Sequence, residues 1–318
     1  MCSSNQTVLL TDDIRLVHIV CSLTISIIGI FGNLLSLALI CKARLCHGCP
    51  RMMLIINLCI SNLISTGVIV PVIAVSNIYQ RWIFGDIFCK LFGYIMYVTL
   101  TSECLIISNL AVCQYLIIVH RVSIKAIVFN RCKYLRLFTL LGLPWVIGAS
   151  AFTAPLTEIW DTFGYDYRKG YCSILRRHNG YGIQGAVTSS LILIMTVIIF
   201  YCYPAILYTH IRSSRMVRHS TNSRGTRVTD CVRSTHLMIL AIMINYLVTY
   251  LPFLTISIID PCITETPLLA YTAIMYICWS HTAINPVIYG LLNSRVTALW
   301  KNAFQSTFCH LSQIPPRR

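Results

Sequence analysis

The sequence predicts an all-α membrane protein: a bundle of seven transmembrane helices followed by a short amphipathic eighth helix. Three observations carry this. Of 318 residues 56% are hydrophobic and 11% charged, with a mean hydropathy of +0.72, which leaves too little polar surface for a soluble globule. Seven uncharged or nearly uncharged runs follow one another, each longer than the roughly 18 residues that cross a bilayer. The cations between them are distributed unevenly, as they are in a chain threaded through a membrane.

The runs are Leu16 to Cys41, Met52 to Ser76, Leu91 to Val119, Leu137 to Leu156, Ile183 to Tyr208, Leu237 to Ile259 and Leu268 to Leu292. Only the third holds a charge, Glu103. In the seventh, Asn285-Pro286-Val287-Ile288-Tyr289 puts an asparagine and a proline at mid-membrane depth. The freed backbone groups need protein or water partners, so the motif marks a bundle interior. Residues 1–15 then form an outer N-terminus, 16–292 the membrane domain, and 293–318 an amphipathic helix and tail.

Of the 25 Lys and Arg, 18 fall in the loops after the odd-numbered runs and in the tail, while Asp230 is the only one of ten acidic residues there. The positive-inside rule makes that side cytoplasmic and the N-terminus extracellular. A multi-pass plasma-membrane protein is expected. The +15 charge is spread over short loops facing an anionic leaflet, so it is not a nucleic-acid signal. Asn5-Gln6-Thr7 is a glycosylation sequon on the outer side, consistent with this orientation. No cationic segment precedes the first run, so no cleavable signal peptide is expected.

Most of the sixteen cysteines lie in the runs or on the reducing side, where a thiol acts as a small apolar filler. Cys89 and Cys172 lie outside, where a disulfide would pin the loop between runs four and five over the bundle mouth. Cys2 and Cys262 are also outside, and their pairing stays open. Cys309, beyond the amphipathic stretch from Ser294 to Ser306, is a candidate for palmitoylation.

Gly32-Asn33, Asn57-Leu58, Cys89 with Cys172, Trp145, Tyr203, Leu251-Pro252 and the Asn285-to-Tyr289 motif occur in the order seen in rhodopsin-like G-protein-coupled receptors. The chain resembles that family along almost its whole length. Phe163-Gly164-Tyr165-Asp166, Tyr171-Cys172-Ser173-Ile174-Leu175 and Tyr250-Leu251-Pro252-Phe253 resemble the invertebrate trapped-in-endoderm and moody receptors, and more distantly melatonin receptors. The resemblance implies a ligand, a heterotrimeric G protein and arrestin as partners, with no cofactor and no enzymatic activity. It also implies that Pro252, Pro286, Tyr203 and Tyr289 take part in activation.

Three departures from the family pattern stand out. Where the third helix of the family closes on Asp-Arg-Tyr, this chain has Cys113-Gln114-Tyr115. Gln114 hydrogen-bonds but carries no charge, which removes the ionic lock and the usual cation of the coupling socket. Arg121, Arg212 and Arg233 are then the expected source of electrostatics. The family's core aspartate falls at Asn62, and Glu103 carries the charge across the same pocket. Asn33, Asn62, Glu103, His281 and Asn285 form a polar cluster that in relatives holds sodium. The alternative is a protonated Glu103 bonded to Asn62 or a water, because a lone buried carboxylate is costly. Last, Tyr250 stands where relatives carry a tryptophan, and Pro204 follows Tyr203 in run five, where a bend is expected.

For a ligand, Met96 and Tyr97 occupy the level at which amine receptors place an aspartate, which argues against a biogenic amine. No run contains a lysine, so no retinal Schiff base can form. Met96, Tyr97, Leu100, Tyr250, Phe253, Leu254, Met275 and Trp279 predict an apolar, aromatic pocket suited to a lipid-like ligand. Arg176, with Arg177, is placed to meet an anionic head group. Two other readings remain: a receptor-like decoy or scaffold that binds without activating a G protein, and a transporter. A single intramembrane charge and the absence of an internal repeat argue against the transporter.

Overall fold

The computed structural model describes residues 11–42, 50–122, 138–175, 182–218, 226–260 and 263–292. Each apolar run is helical. The first helix spans Asp12–Lys42 and the third Asp86–Ile118. The fifth, sixth and seventh span Ile183–Arg218, Thr226–Ile259 and Leu268–Leu292. The second is built from Pro50–Ile64, a π-helical turn at Ser65–Ile69, and Val70–Tyr79. The fourth has the same form, with a π turn at Phe138–Gly142 ahead of Leu143–Ala151 and a final turn at Thr153–Leu156. One residue separates each π turn from a proline, Pro71 or Pro144, whose missing N–H cannot close an α-helical bond. The fifth helix runs unbroken through Pro204.

Five helices among the described residues are long and apolar enough to cross a membrane on that ground alone. The fourth is short, and the seventh is diluted by an inward row that includes His281, Thr282 and Asn285. The molecule is apolar outside and polar within. Phe31, Ile87, Tyr201, Ile259 and Leu291 are each more than two-thirds exposed, whereas Asn33, Asn62, Ser65, Glu103, Gln114 and His281 are fully buried. In water that arrangement would be costly; in lipid it satisfies both sets of groups.

Two apolar layers sandwich the polar one. At one end Ile73, Phe92, Met96, Tyr171, Met275 and Trp279 pack together. At the other end the layer contains Leu54, Leu58, Ile106, Leu110, Ile206, Met238 and Tyr289. Small residues allow close approach between the two chain ends. A Cβ on Gly32 would stand 2.6 Å from Pro286 Cβ, which brings the first helix against the seventh. Trp145 Nε1 donates to Asn57 Oδ1 at 2.9 Å, and Asn57 Nδ2 donates to the Leu141 carbonyl at 3.0 Å, fixing the fourth helix to the second.

One end is covered by an antiparallel hairpin, β1 (Thr162–Asp166) and β2 (Tyr171–Leu175), with Tyr165 opposite Cys172. Asp166 Oδ1 accepts the Arg168 and Lys169 amides across the turn, and Gly170 closes it at φ 75°. The left-handed conformation suits glycine, which also leaves room for Asn77: its Nδ2 donates to the Gly170 carbonyl at 3.2 Å. Cys89 and Cys172 form a disulfide with Cα atoms 5.4 Å apart. The hairpin is thereby tied to the third helix as well as the second. Cys2, Cys262, the sequon at Asn5, Arg176, Cys309 and the expected eighth helix lie outside the described residues.

Candidate functional site

A cavity of about 130 Å³ opens beneath the hairpin, between the third, fifth and sixth helices. Of the expected lining residues, Tyr97, Leu100, Tyr250, Phe253 and Leu254 border it. Met96 and Trp279 border a smaller void beside it. Met275 borders neither and is packed in the apolar layer, 1% exposed. At the rim Asp161, Lys169 and Asp260 join these apolar and aromatic residues in the wall. These charges have protein partners. Lys169 Nζ lies 3.4 Å from Asp166 and 3.1 Å from Ser173 Oγ. Asp161 accepts the Gln184 amide at 3.2 Å.

Asp260 organises the loop after the sixth helix. Burial alone would raise its pKa. The amides of Thr264, Glu265 and Thr266 and the hydroxyls of Thr264 and Thr266 nevertheless all donate to its carboxylate, at 2.8–3.0 Å. Those donors hold the acid well below the usual carboxylate range.

Tyr250 forms the cavity floor. Its hydroxyl is buried without a hydrogen-bond partner among the described residues. The ring stacks on Tyr246 at 4.3 Å and meets the His281 ring at 5.2 Å. Tyr246 and Cys104 are hydrogen-bonded through hydroxyl and thiol at 2.6 Å.

Beneath this aromatic pair lies Glu103. Ser61 and Ser65, one turn apart on the second helix, donate to its Oε1 at 2.6 and 2.9 Å. His281 Nε2 is 3.1 Å from its Oε2. The other ring nitrogen, Nδ1, faces the Cys278 carbonyl, which can only accept, so Nδ1 carries a hydrogen. A second proton must then lie between Nε2 and Oε2, on the imidazole or on the carboxyl. The pair is net neutral in both arrangements, and the two serine hydroxyls and the imidazole offset part of the cost of burying the carboxyl group. Glu103 therefore does not bond Asn62, because His281 and the two serines are nearer partners. Asn62 instead donates to Asn33 Oδ1 at 3.1 Å, and Asn33 donates to the Gly29 and Thr282 carbonyls. Asn285 Oδ1 accepts from Asn245 at 3.2 Å. The five expected polar residues share a layer but divide into three bonded sets.

At the opposite end, Gln114 is fully buried and its Oε1 accepts a hydrogen bond from Arg51 Nη1 at 3.3 Å. A cation is present after all, carried by the second helix. Arg121 and Arg212 are exposed, and the side chain of Arg233 lies outside the described residues. Cys113 is partly buried beside the apolar layer at this end of the bundle. Tyr115 meets Tyr201, with hydroxyls 3.4 Å and ring centres 5.7 Å apart. Tyr289 is 1% exposed within the same layer, and Tyr203 packs on its edge.

Sequence reasoning missed Ser61, Ser65, Tyr246 and Arg51. The serines carried a signal, since an i, i+4 pair of hydroxyls flanking Asn62 presents one helical face. Arg51 looked like an ordinary loop cation.

The chain matches the 7 transmembrane receptor (rhodopsin family) over residues 32–289. It is 23% identical to the G-protein coupled receptor moody of Drosophila melanogaster over 91% of this chain and 51% of that protein. It is 24% identical to protein trapped in endoderm-1 of the same fly, over 87% of this chain and 74% of that protein. A QRFP-like peptide receptor of Branchiostoma floridae is 23% identical, over 97% and 82%. The chain spans about half the length of moody. Seven helices in one bundle, the Cys89–Cys172 bridge and a family match covering most of the length agree: this chain belongs to the rhodopsin family of seven-transmembrane receptors.

Proposed function

We propose that the chain is a G-protein-coupled receptor of the plasma membrane, with the hairpin end extracellular, that takes a mostly apolar ligand beneath the hairpin. Tyr250 carries this reading: it is the cavity floor and it also touches His281, the partner of Glu103. A ligand that fills the cavity presses on one face of that ring and biases the polar layer behind the other face. The unpartnered Tyr250 hydroxyl supports a ligand with one polar group on an otherwise apolar body. Arg176 is a candidate contact for an anionic head group. Swinging the inner half of the sixth helix about Pro252, with Pro286, Tyr203 and Tyr289 repacking, would open the cytoplasmic face to a G protein and then to arrestin.

At the core, Glu103 and His281 support an internal ion pair occupying the place that sodium takes in relatives, with Asn33, Asn62 and Asn285 lining the same layer. The readout for the whole reading is second-messenger and arrestin recruitment in cells expressing the chain, with lipid extracts added and withheld. Extract-dependent signalling that is lost in Tyr250→Ala supports it. Ligand capture without any G-protein response would favour the decoy reading, for which the uncharged Gln114 is the motivating observation.

A further inference from the structure

We propose that Arg51 is the cation of the coupling surface, braced by Gln114, and that it receives a carboxylate of the G protein. The assignment rests on the reading above, in which this end of the bundle is cytoplasmic and engages a G protein.

Arg51 is 9% exposed although it stands in the first turn of the second helix. Its Nη1 donates to Gln114 Oε1 at 3.3 Å, while its Nε has no partner among the described residues. Gln114 is 0% exposed, and its Nε2 is likewise unpartnered. A guanidinium cannot shed its proton, so this is a permanent buried charge resting on a neutral amide. Such a charge calls for an anion. The chain has little to offer: of ten acidic residues, only Asp230 lies in a segment on this side of the membrane.

Gln114 fixes the geometry. By accepting at Nη1 it holds one arm of the guanidinium and leaves the rest of the planar fork for a carboxylate, with its own Nε2–H as a further donor. The positive end of the second helix dipole lies within the same turn. Exposed Arg121 and Arg212 are hydrated and screened, and they can steer an acidic partner without gripping it. A lipid phosphate is the competing anion, and the test separates the two.

The test measures binding of nucleotide-free heterotrimers from a panel of G-protein classes to the full chain in nanodiscs of neutral phosphatidylcholine and, in parallel, in discs that also contain anionic phosphatidylserine. Nucleotide is withheld because its binding to the G protein opposes the complex. Arg51→Gln is expected to weaken binding by about tenfold or more at low and high salt alike, because a buried pair is little screened, while the salt-dependent steering by Arg121 and Arg212 stays. Arg51→Lys should recover part of the loss. The double variant Arg51→Gln with Gln114→Arg should recover most of it, because the charge returns at the same contact from the other helix. Should Arg51→Gln fail to fold, Arg51→Lys decides: a lysine lacks the planar fork, so Arg51→Lys binding as tightly as wild type overturns the proposal. Arg51→Gln binding as wild type does overturns it while leaving the receptor reading intact. A loss confined to discs containing anionic lipid overturns it in favour of a phosphate contact. Wild type that binds no member of the panel overturns the coupling reading and this assignment together.

Discussion

The rings of Tyr250 and His281 lie 5.2 Å apart and tilted by 60°. That contact joins the cavity floor to the carboxylate of Glu103. Two tyrosines, a histidine and a glutamate thus make a continuous column from the cavity beneath the hairpin to the bundle centre. Each member is buried, so a shift in one must be taken up by its neighbours.

Tyr250→Phe should melt within about 1 kcal/mol of wild type, because the stacked ring stays and only an unpartnered hydroxyl is lost. Tyr250→Ala should cost about 3–5 kcal/mol through the cavity it leaves. Thermal unfolding of the purified chain in detergent checks both. Equal losses for the two would mean that the hydroxyl has a structural partner.

Removing one partner of the Glu103–His281 pair should be worse than removing both. Glu103→Leu leaves an imidazole and two serine hydroxyls without their acceptor and should cost about 3–5 kcal/mol. Adding His281→Gln to Glu103→Gln should return part of the loss expected from adding the single effects, which a double-mutant cycle of melting data measures. Because the carboxylate already has three donors, replacing choline chloride with sodium chloride should leave the wild-type melting temperature unchanged. A sodium-specific rise would place a cation at Glu103.

The Cys89–Cys172 bridge closes a separation of 83 residues. Cys172→Ala should cost about 2–4 kcal/mol and free the hairpin over the cavity. Non-reducing digestion and mass spectrometry of the surface protein should recover the linked peptides. Two free thiols would contradict the bridge.

Asp260 gives the loop after the sixth helix a pH dependence with a defined sign. Its pKa is depressed in the folded chain, so the stabilisation is complete above the unfolded carboxylate value near 4 and is lost as pH falls below it toward the folded value. Asp260→Ala should raise amide exchange at Thr264, Glu265 and Thr266 by about tenfold at neutral pH, since their acceptor is gone. Hydrogen exchange with peptide-level mass spectrometry reads this. Unchanged protection in the variant would mean that other contacts hold the loop.

The sequence by itself determined the seven helices, because the length and apolarity of a run are local properties that the bilayer reads directly. The ordered landmarks, from Gly32 to Tyr289, were likewise sufficient for the family. Glu103 was conspicuous as the only intramembrane charge, and that marked the polar layer. Its partners were not legible. Whether Asn62, His281 or a serine faces a given carboxylate depends on helix rotation, and the π turn at Ser65–Ile69 shifts that rotation without any period in the sequence. The pocket followed the same rule: Tyr250 and Phe253 were found from their place near Pro252, while Asp161, Lys169 and Asp260 came to the rim only when the hairpin folded over it. Arg51 shows the limit most plainly. In the sequence it is one more loop cation, 63 residues from Gln114. Only the packing of the second helix against the third buries it and gives an uncharged position back its charge.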